Sequence, residues 1–296
     1  MGIPESQLET WAKQGSVTGS ADTYNLVKDI LQASTTLYAG RDFSVYLQGS
    51  YGNDTNIYAE SDVDIVITLN QTWHQDVSEL SEAEKGAYDA AFEAATYDYA
   101  EFRRDVLAAL QDAYDSVTSG NKAIIVPASA NRRSTDVLVA TQYRRYFKFN
   151  GVQEQSYDEG ICFFDSKGNL IANYPRQHRE NMTKRHQDSG NWLKPMVRIF
   201  KNARTKLVDE GVMEARVAPS YYLEGLLYNA PLACFGTNYN TSLLRVLQWM
   251  YATQDTSKWV TANEQYYLLW DGTQTAWPKV NYVTFKNAII SLWNEW

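Results

Sequence analysis

Asp62 and Asp64 lie two residues apart at the head of an apolar run, Asp62-Val63-Asp64-Ile65-Val66-Ile67. Side chains two apart in a strand point to the same side, so these carboxylates project together. Alone they would repel each other, and one would resist ionisation. A hard cation such as Mg²⁺ removes that penalty, because it takes one or two protein carboxylates and completes its shell with water and substrate phosphates. Ahead of the pair, separated by eleven residues, stand Gly49 and Ser50. Glycine lets the backbone approach a ligand closely, and serine offers a hydroxyl and an amide N–H to a phosphate. If two ions are held, a third carboxylate is needed. Asp136, in Ser134-Thr135-Asp136-Val137-Leu138-Val139, is the candidate, facing opposite to Val137 and Val139. Its competing reading is a strand-end Asp that caps the backbone or pairs with Arg132 or Arg133. The chemistry these residues suit is metal-assisted phosphoryl transfer.

The elements that must position them follow from periodicity. Apolar residues Leu26, Val27, Ile30, Leu31, Leu37 and Tyr38 predict a helix over 22–39. Residues 43–47 predict a strand ending at Gln48-Gly49-Ser50, and a second strand runs from Val63 to Leu69. An acidic helical region over 81–117 opens with a capping-box spacing at Ser81 and Glu84, and its acids read as a solvated face. Further strands are expected at 122–127, 135–140, 143–149 and 160–164. Beyond Pro175 the pattern turns helical, at 178–188, 191–209, 219–229, 240–254 and 279–294. This predicts an N-terminal helical segment over 1–40 packing on both lobes, an α/β lobe over 41–175 and a helical lobe over 176–296, with the ligand in the cleft between the lobes.

Composition narrows the partners. The net charge of −8 disfavours a clamp on long nucleic acid, which needs many Lys and Arg contacts. Residues 171–206 are +7 and the remainder −15, a local patch suited to a small anion. No apolar stretch reaches membrane-span length. The N-terminus lacks a signal peptide, and its Gly2/Ser6 myristoylation pattern reads as a chance match. Cys162 and Cys234 read as free thiols in a reducing cytoplasm. His74, His178 and His186 show no zinc spacing.

Gly49-Ser50 followed by Asp62-x-Asp64 resembles the motif of the DNA polymerase beta-like nucleotidyltransferase superfamily. The longer run LQGSYGNDTNIYAESDVDIVI resembles its cGAS-like bacterial branch, the CD-NTases of CBASS antiphage systems. YPRQHRENM, WLKPMVRIFKNARTKL and PSYYLEGLLYNAP resemble segments of that branch's helical lobe, in the same order. Within the branch the sequence looks most like CdnE. The resemblance implies a polymerase-beta-like α/β lobe with a mixed sheet and a C-terminal helical lobe. It implies two Mg²⁺ ions (with Mn²⁺ as a substitute) on Asp62, Asp64 and Asp136. Lys201 would grip the donor triphosphate, Ser220 would hold phosphate and Tyr221 would stack on the donor base; read alone, Lys201 is a solvated helix charge and Tyr221 a core residue. Asn181 reads first as a polar residue of a helical first turn, although its amide could meet a base edge.

The expected activity is cyclic dinucleotide synthesis from ATP and a second purine or pyrimidine triphosphate, with pyrophosphate released and the product read by a separate effector protein. Three alternatives share parts of the signal. One is a superfamily enzyme that makes a linear product or modifies another acceptor. Another is a tRNA- or poly(A)-type transferase, disfavoured by the acidic balance. The last is a catalytically silent nucleotide-binding module, which would have no need of three carboxylates.

Overall fold

A computed structural model describes residues 2–16, 18–58, 62–273 and 275–296. In chain order the elements are α1 (Glu5–Ala12), α2 (Thr18–Leu31), β1 (Phe43–Leu47), the one-turn α3 (Gly49–Gly52) and β2 (Val63–Asp76). Then come α4 (Glu82–Ala91), α5 (Tyr99–Ala113), β3 (Thr118–Ser119), β4 (Ile124–Val126), β5 (Thr135–Phe149), β6 (Gln155–Phe164) and β7 (Leu170–Asn173). The remainder is helical: α6 (Pro175–Asp188), α7 (Leu193–Asp209), α8 (Ser220–Asn229), α9 (Tyr239–Ala252) and α10 (Lys279–Glu295).

The chain divides into two compact units. One comprises residues 18–48 and 61–175 and is built on a seven-stranded sheet with the path β1-β2-β5-β4-β3, to which β6 and β7 add beyond β5. Strands β2 and β5 run parallel and the other pairs antiparallel, so the sheet is mixed, as expected. Along β2, Val63, Ile65, Ile67 and Leu69 are fully buried on one face, and Val137 and Val139 continue that face on β5. Helices α2 and α5 pack on these strands. The opposite face carries Asp64 and Asp136, then a small apolar cluster of Val66, Ala140 and Ile161.

The second unit comprises residues 1–17, 49–60 and 176–296. Its core gathers Met196, Ile199, Phe200, Ala203 and Leu207 from α7 with Leu223, Leu226 and Leu227 from α8 and Phe285 and Ile289 from α10. Helix α1 packs on α7 and α9, burying Leu8 and Ala12. The Glu5 carboxylate accepts from the amides of Tyr239 and Asn240 at 2.8 and 2.7 Å, which satisfies two open donors at the start of α9. The N-terminal segment is therefore shared, α1 going with the helices and α2 with the sheet. Residues 49–58, expected as a turn and connector of the α/β lobe, group with the helices.

Several elements differ in extent from the sequence expectation. The helix expected over 22–39 stops at Leu31, where the buried Tyr38 hydroxyl donates to the Leu31 carbonyl at 3.0 Å and Leu37 is left exposed. The acidic region is two helices, each opened by its own capping box, Ser81 with Glu84 and Asp98 with Glu101. The strands expected at 135–140 and 143–149 are a single strand, because β2 and β6 together supply hydrogen-bond partners along its length. Strand β7 was not foreseen, and α1 falls within the helical segment expected over 1–40. Among the described residues no helix is long and apolar enough to cross a membrane.

Candidate active site

The candidate residues fall into two sets, one in each unit. In the sheet unit, Asp64 and Asp136 are register partners on the adjacent parallel strands β2 and β5. Lateral partners in a sheet point to the same side and are separated by about 4.8 Å between strands. Asp62 stands exposed one residue before β2. Its charge acts on Asp136, whose carboxyl is half-buried and held above the usual carboxylate range, first by burial and then by Asp62. The Asp136 carboxylate is thus disfavoured where it stands, and a divalent cation would relieve that cost. Among the described residues no three His, Cys, Asp or Glu side chains converge closely enough to cage an ion unaided. The amide of Gln48, which ends this unit's β1 segment, donates to the Asp64 carbonyl at 3.0 Å and so fixes the start of β2.

In the helical unit, Gly49 adopts φ +66°, a conformation that glycine reaches without steric cost, and begins the single turn Gly49–Gly52. The connector that follows is polar, yet Asn53, Thr55 and Asn56 are buried. Buried loop backbone requires partners, and the connector has them. Asn53 N–H donates to the Gly49 carbonyl at 3.1 Å and Thr55 N–H to the Ser50 carbonyl at 2.9 Å. Lys194 pairs with the Asp54 carboxylate at 2.9 Å, and Arg198 donates to the Asp54 carbonyl at 2.6 Å. Gly15 and Asn56 exchange hydrogen bonds, the Gly15 amide to the Asn56 carbonyl at 3.0 Å and the Asn56 amide to the Gly15 carbonyl at 3.2 Å.

Lys201 is not the solvated helix charge that its face of α7 suggested. It is completely buried, and its ammonium donates to the Thr55 carbonyl at 3.0 Å. Much of the basic segment is likewise turned onto the chain itself. Arg185 donates to the Ala230 carbonyl and Arg204 to the Ala218 carbonyl, at 2.7 and 3.1 Å.

Ser220 is the first residue of α8, and the half-exposed Tyr221 follows it. One face of the Tyr221 ring stacks on His178, with centroids 5.2 Å apart and planes at 24°. Its hydroxyl accepts from the Asn263 amide at 3.1 Å, and burial, the largest influence, raises its pKa well above the usual phenol range. Tyr221 is thus held between the His178 ring and an edge contact with Tyr222, with its hydroxyl fixed by Asn263. Asn181 on α6 is half-buried and donates its amide to the Ala262 carbonyl at 2.9 Å.

Sequence reading missed a buried acid, Glu224 on α8. Its carboxylate accepts from Asn53 Nδ2 at 3.1 Å, Thr55 Oγ1 at 2.5 Å and His178 Nε2 at 2.6 Å. Burial alone would raise its pKa, but the His178 hydrogen bond and charge, the Lys201 charge and the Thr55 hydroxyl together hold it below the usual range. A charged residue in the apolar run Tyr222-Leu223-Glu224-Gly225-Leu226-Leu227 was the available signal, since such residues are seldom fully buried unless paired.

Comparison with known proteins gives these arrangements a family. Residues 180–294 match the cGAS/DncV-like nucleotidyltransferase C-terminal helical domain. The chain is 33% identical to the cyclic nucleotide synthase CdnE01 of Staphylococcus haemolyticus, with all of both chains covered. It is 35% identical to the cyclic UMP-AMP synthase of Rhodothermus marinus, covering 100% of this chain and 99% of the relative. The solved structure of that synthase with Apcpp and Upnpp superposes with a TM-score of 0.88, over 99% of this chain and 97% of the other. The cyclic dipurine nucleotide synthase of Elizabethkingia meningoseptica is 32% identical over 85% of each chain. A CdnE structure from that organism with GTP and Apcpp gives a TM-score of 0.76 at 26% identity, over 99% and 98% of the two chains. The resemblance seen in the sequence is borne out, and the chain belongs to the cGAS/DncV-like nucleotidyltransferases, in their CdnE group of cyclic nucleotide synthases.

Proposed function

We propose that the chain joins two nucleoside triphosphates, ATP and a second purine or pyrimidine triphosphate, by template-independent nucleotidyl transfer and closes the product into a cyclic dinucleotide. The observation that carries this reading is the parallel register of Asp64 with Asp136, with Asp62 acting electrostatically on the same carboxyl. The three acids suit Mg²⁺ (Mn²⁺ as a substitute), and because they do not cage an ion unaided, water and the nucleotide's own phosphates would complete its shell. Asp62, Asp64 and Asp136 would hold such ions, whose chemistry when bound would be to lower the pKa of the attacking ribose hydroxyl and neutralise the triphosphate.

The chain's own residues divide the remaining work. Asp136, on the strand next to Asp64, is placed to accept the hydroxyl proton. The Gly49 turn lets backbone approach the phosphates, and Ser50 and Ser220 donate to them. Lys201 places a fixed positive charge behind the connector, with one of its three ammonium donors given to the Thr55 carbonyl. Tyr221 offers its second face to the donor base, since any base has a π-face to stack. Asn181, its amide donated to Ala262, retains an acceptor oxygen for a base edge.

The pair of bases is not carried over from relatives, because the Rhodothermus enzyme is named for UMP and AMP and the Elizabethkingia enzyme for two purines at similar identity. Family membership also supports a role for the product as a cytoplasmic signal in CBASS antiphage defence, read by a separate effector protein, with no long nucleic acid and no membrane required.

The test is incubation with all four nucleoside triphosphates and Mg²⁺, followed by phosphatase treatment and mass spectrometry. A phosphatase-resistant cyclic dinucleotide is the expected product. Only phosphatase-sensitive linear oligonucleotides, or unchanged triphosphates, would contradict the reading.

A further inference from the structure

Both elements proposed to meet phosphate in the helical unit lead back to one buried carboxylate. The carbonyls of the Gly49-Ser50 turn are held by the amides of Asn53 and Thr55. The side chains of those same two residues donate to opposite oxygens of Glu224, Asn53 to Oε2 and Thr55 to Oε1. Glu224 lies one helical turn after Ser220 and three residues after Tyr221, so all three share a side of α8. His178, which donates to Glu224 Oε2, is also the ring on which Tyr221 stacks. Lys201 closes the arrangement from α7, through the Thr55 carbonyl.

We propose that Glu224 is a positioning residue for triphosphate binding, holding the Ser50 turn in fixed relation to the Ser220-Tyr221 start of α8. An ionised carboxylate can only accept hydrogen bonds, so each contact to it has a defined donor. Charge-assisted bonds of this kind are shorter and roughly twice as strong as neutral ones. Three segments distant in sequence (53–55, α6 and α8) thereby meet at two oxygen atoms. The carboxylate itself is buried and reaches no substrate; its effect passes through Asn53, Thr55 and His178.

This proposal rests on the assignment of Ser50 and Ser220 to the phosphates, and the experiment separates the two. Calorimetry on the full chain, with Mg²⁺ present, compares the affinity for a non-reacting α,β-methylene ATP with that for adenosine. The ratio isolates what the phosphates contribute. Glu224→Gln keeps the shape of the side chain and removes its charge. It is expected to lower the triphosphate affinity about tenfold while leaving adenosine within about twofold. In turnover, KM for ATP rises about tenfold and kcat falls less. Thr55→Val and Asn53→Ala approach the same hub from the donor side and are expected to shift the ratio in the same direction, so the proposal stands or falls on them if Glu224→Gln does not fold.

Equal loss for both ligands would show a general structural role and overturn the proposal. An unchanged ratio in the folded variants would overturn it too, provided Ser50→Ala and Ser220→Ala do reduce it. If those two serine variants also leave the ratio unchanged, it is the phosphate assignment that fails, and the positioning role falls with it.

Discussion

Asp136 illustrates how a residue can be costly to the fold and needed by the site. Its carboxyl sits half-buried beside Asp64 on the next strand and in the field of Asp62. A carboxyl whose folded pKa is raised contributes stability in acid, below its unfolded value, and loses it as pH rises through the folded value. At neutral pH the ionised Asp136 therefore destabilises the protein in the absence of a cation. Asp136→Asn is predicted to raise the melting temperature at pH 7 by about 2 °C, with the gain vanishing below about pH 4. The same variant is predicted to lower nucleotide turnover about 100-fold or more, since in the proposed mechanism Asp136 both ligates the ion and accepts the proton. Thermal unfolding across pH, read beside pyrophosphate release, checks both halves. A variant that is less stable at pH 7 and fully active would contradict this account of the residue.

At the level of elements, the connector after α3 is the part the sequence concealed. Asn53-Asp54-Thr55-Asn56 has the composition of a solvated turn, and turn composition is ordinarily a sound guide. Here Asn53, Thr55 and Asn56 are buried, with Lys201 and Glu224 among the partners that replace water, while Lys194 and Arg198 hold the exposed Asp54. Those partners lie about 140 to 170 residues away in sequence, beyond the reach of any local pattern. The strand Phe43–Leu47 and the helices of the C-terminal region were legible because their apolar spacing is local. Glu224 also makes this packing pH-sensitive. A carboxyl with a lowered folded pKa contributes stability above its unfolded value and loses it as pH falls through the folded value. Glu224→Gln is predicted to cost about 3 kcal/mol at pH 7, because it removes the buried charge that accepts from Asn53, Thr55 and His178. The gap to the unsubstituted chain is predicted to narrow as pH falls below about 4, as denaturant unfolding at several pH values would show. A gap independent of pH would contradict the assignment of an ionised Glu224.

For the whole molecule, the identity of the fold was readable from few residues. Gly49-Ser50 and Asp62-x-Asp64 carried the nucleotidyltransferase reading because metal-bound phosphate chemistry constrains residue type and spacing together. The mixed sheet explains why Asp136, 72 positions after Asp64, could be proposed but not placed from sequence: only the parallel pairing of β2 with β5 brings the two into register. The base pair is legible in neither sequence nor fold, as relatives of similar identity are named for different bases. The central claim is that these carboxylates perform nucleotidyl transfer on free nucleoside triphosphates. Its most direct test is pyrophosphate release by Asp64→Asn beside the unsubstituted chain, with all four triphosphates and either Mg²⁺ or Mn²⁺. The account predicts release by the unsubstituted chain and a loss of about 100-fold or more in the variant; full activity in Asp64→Asn would contradict it.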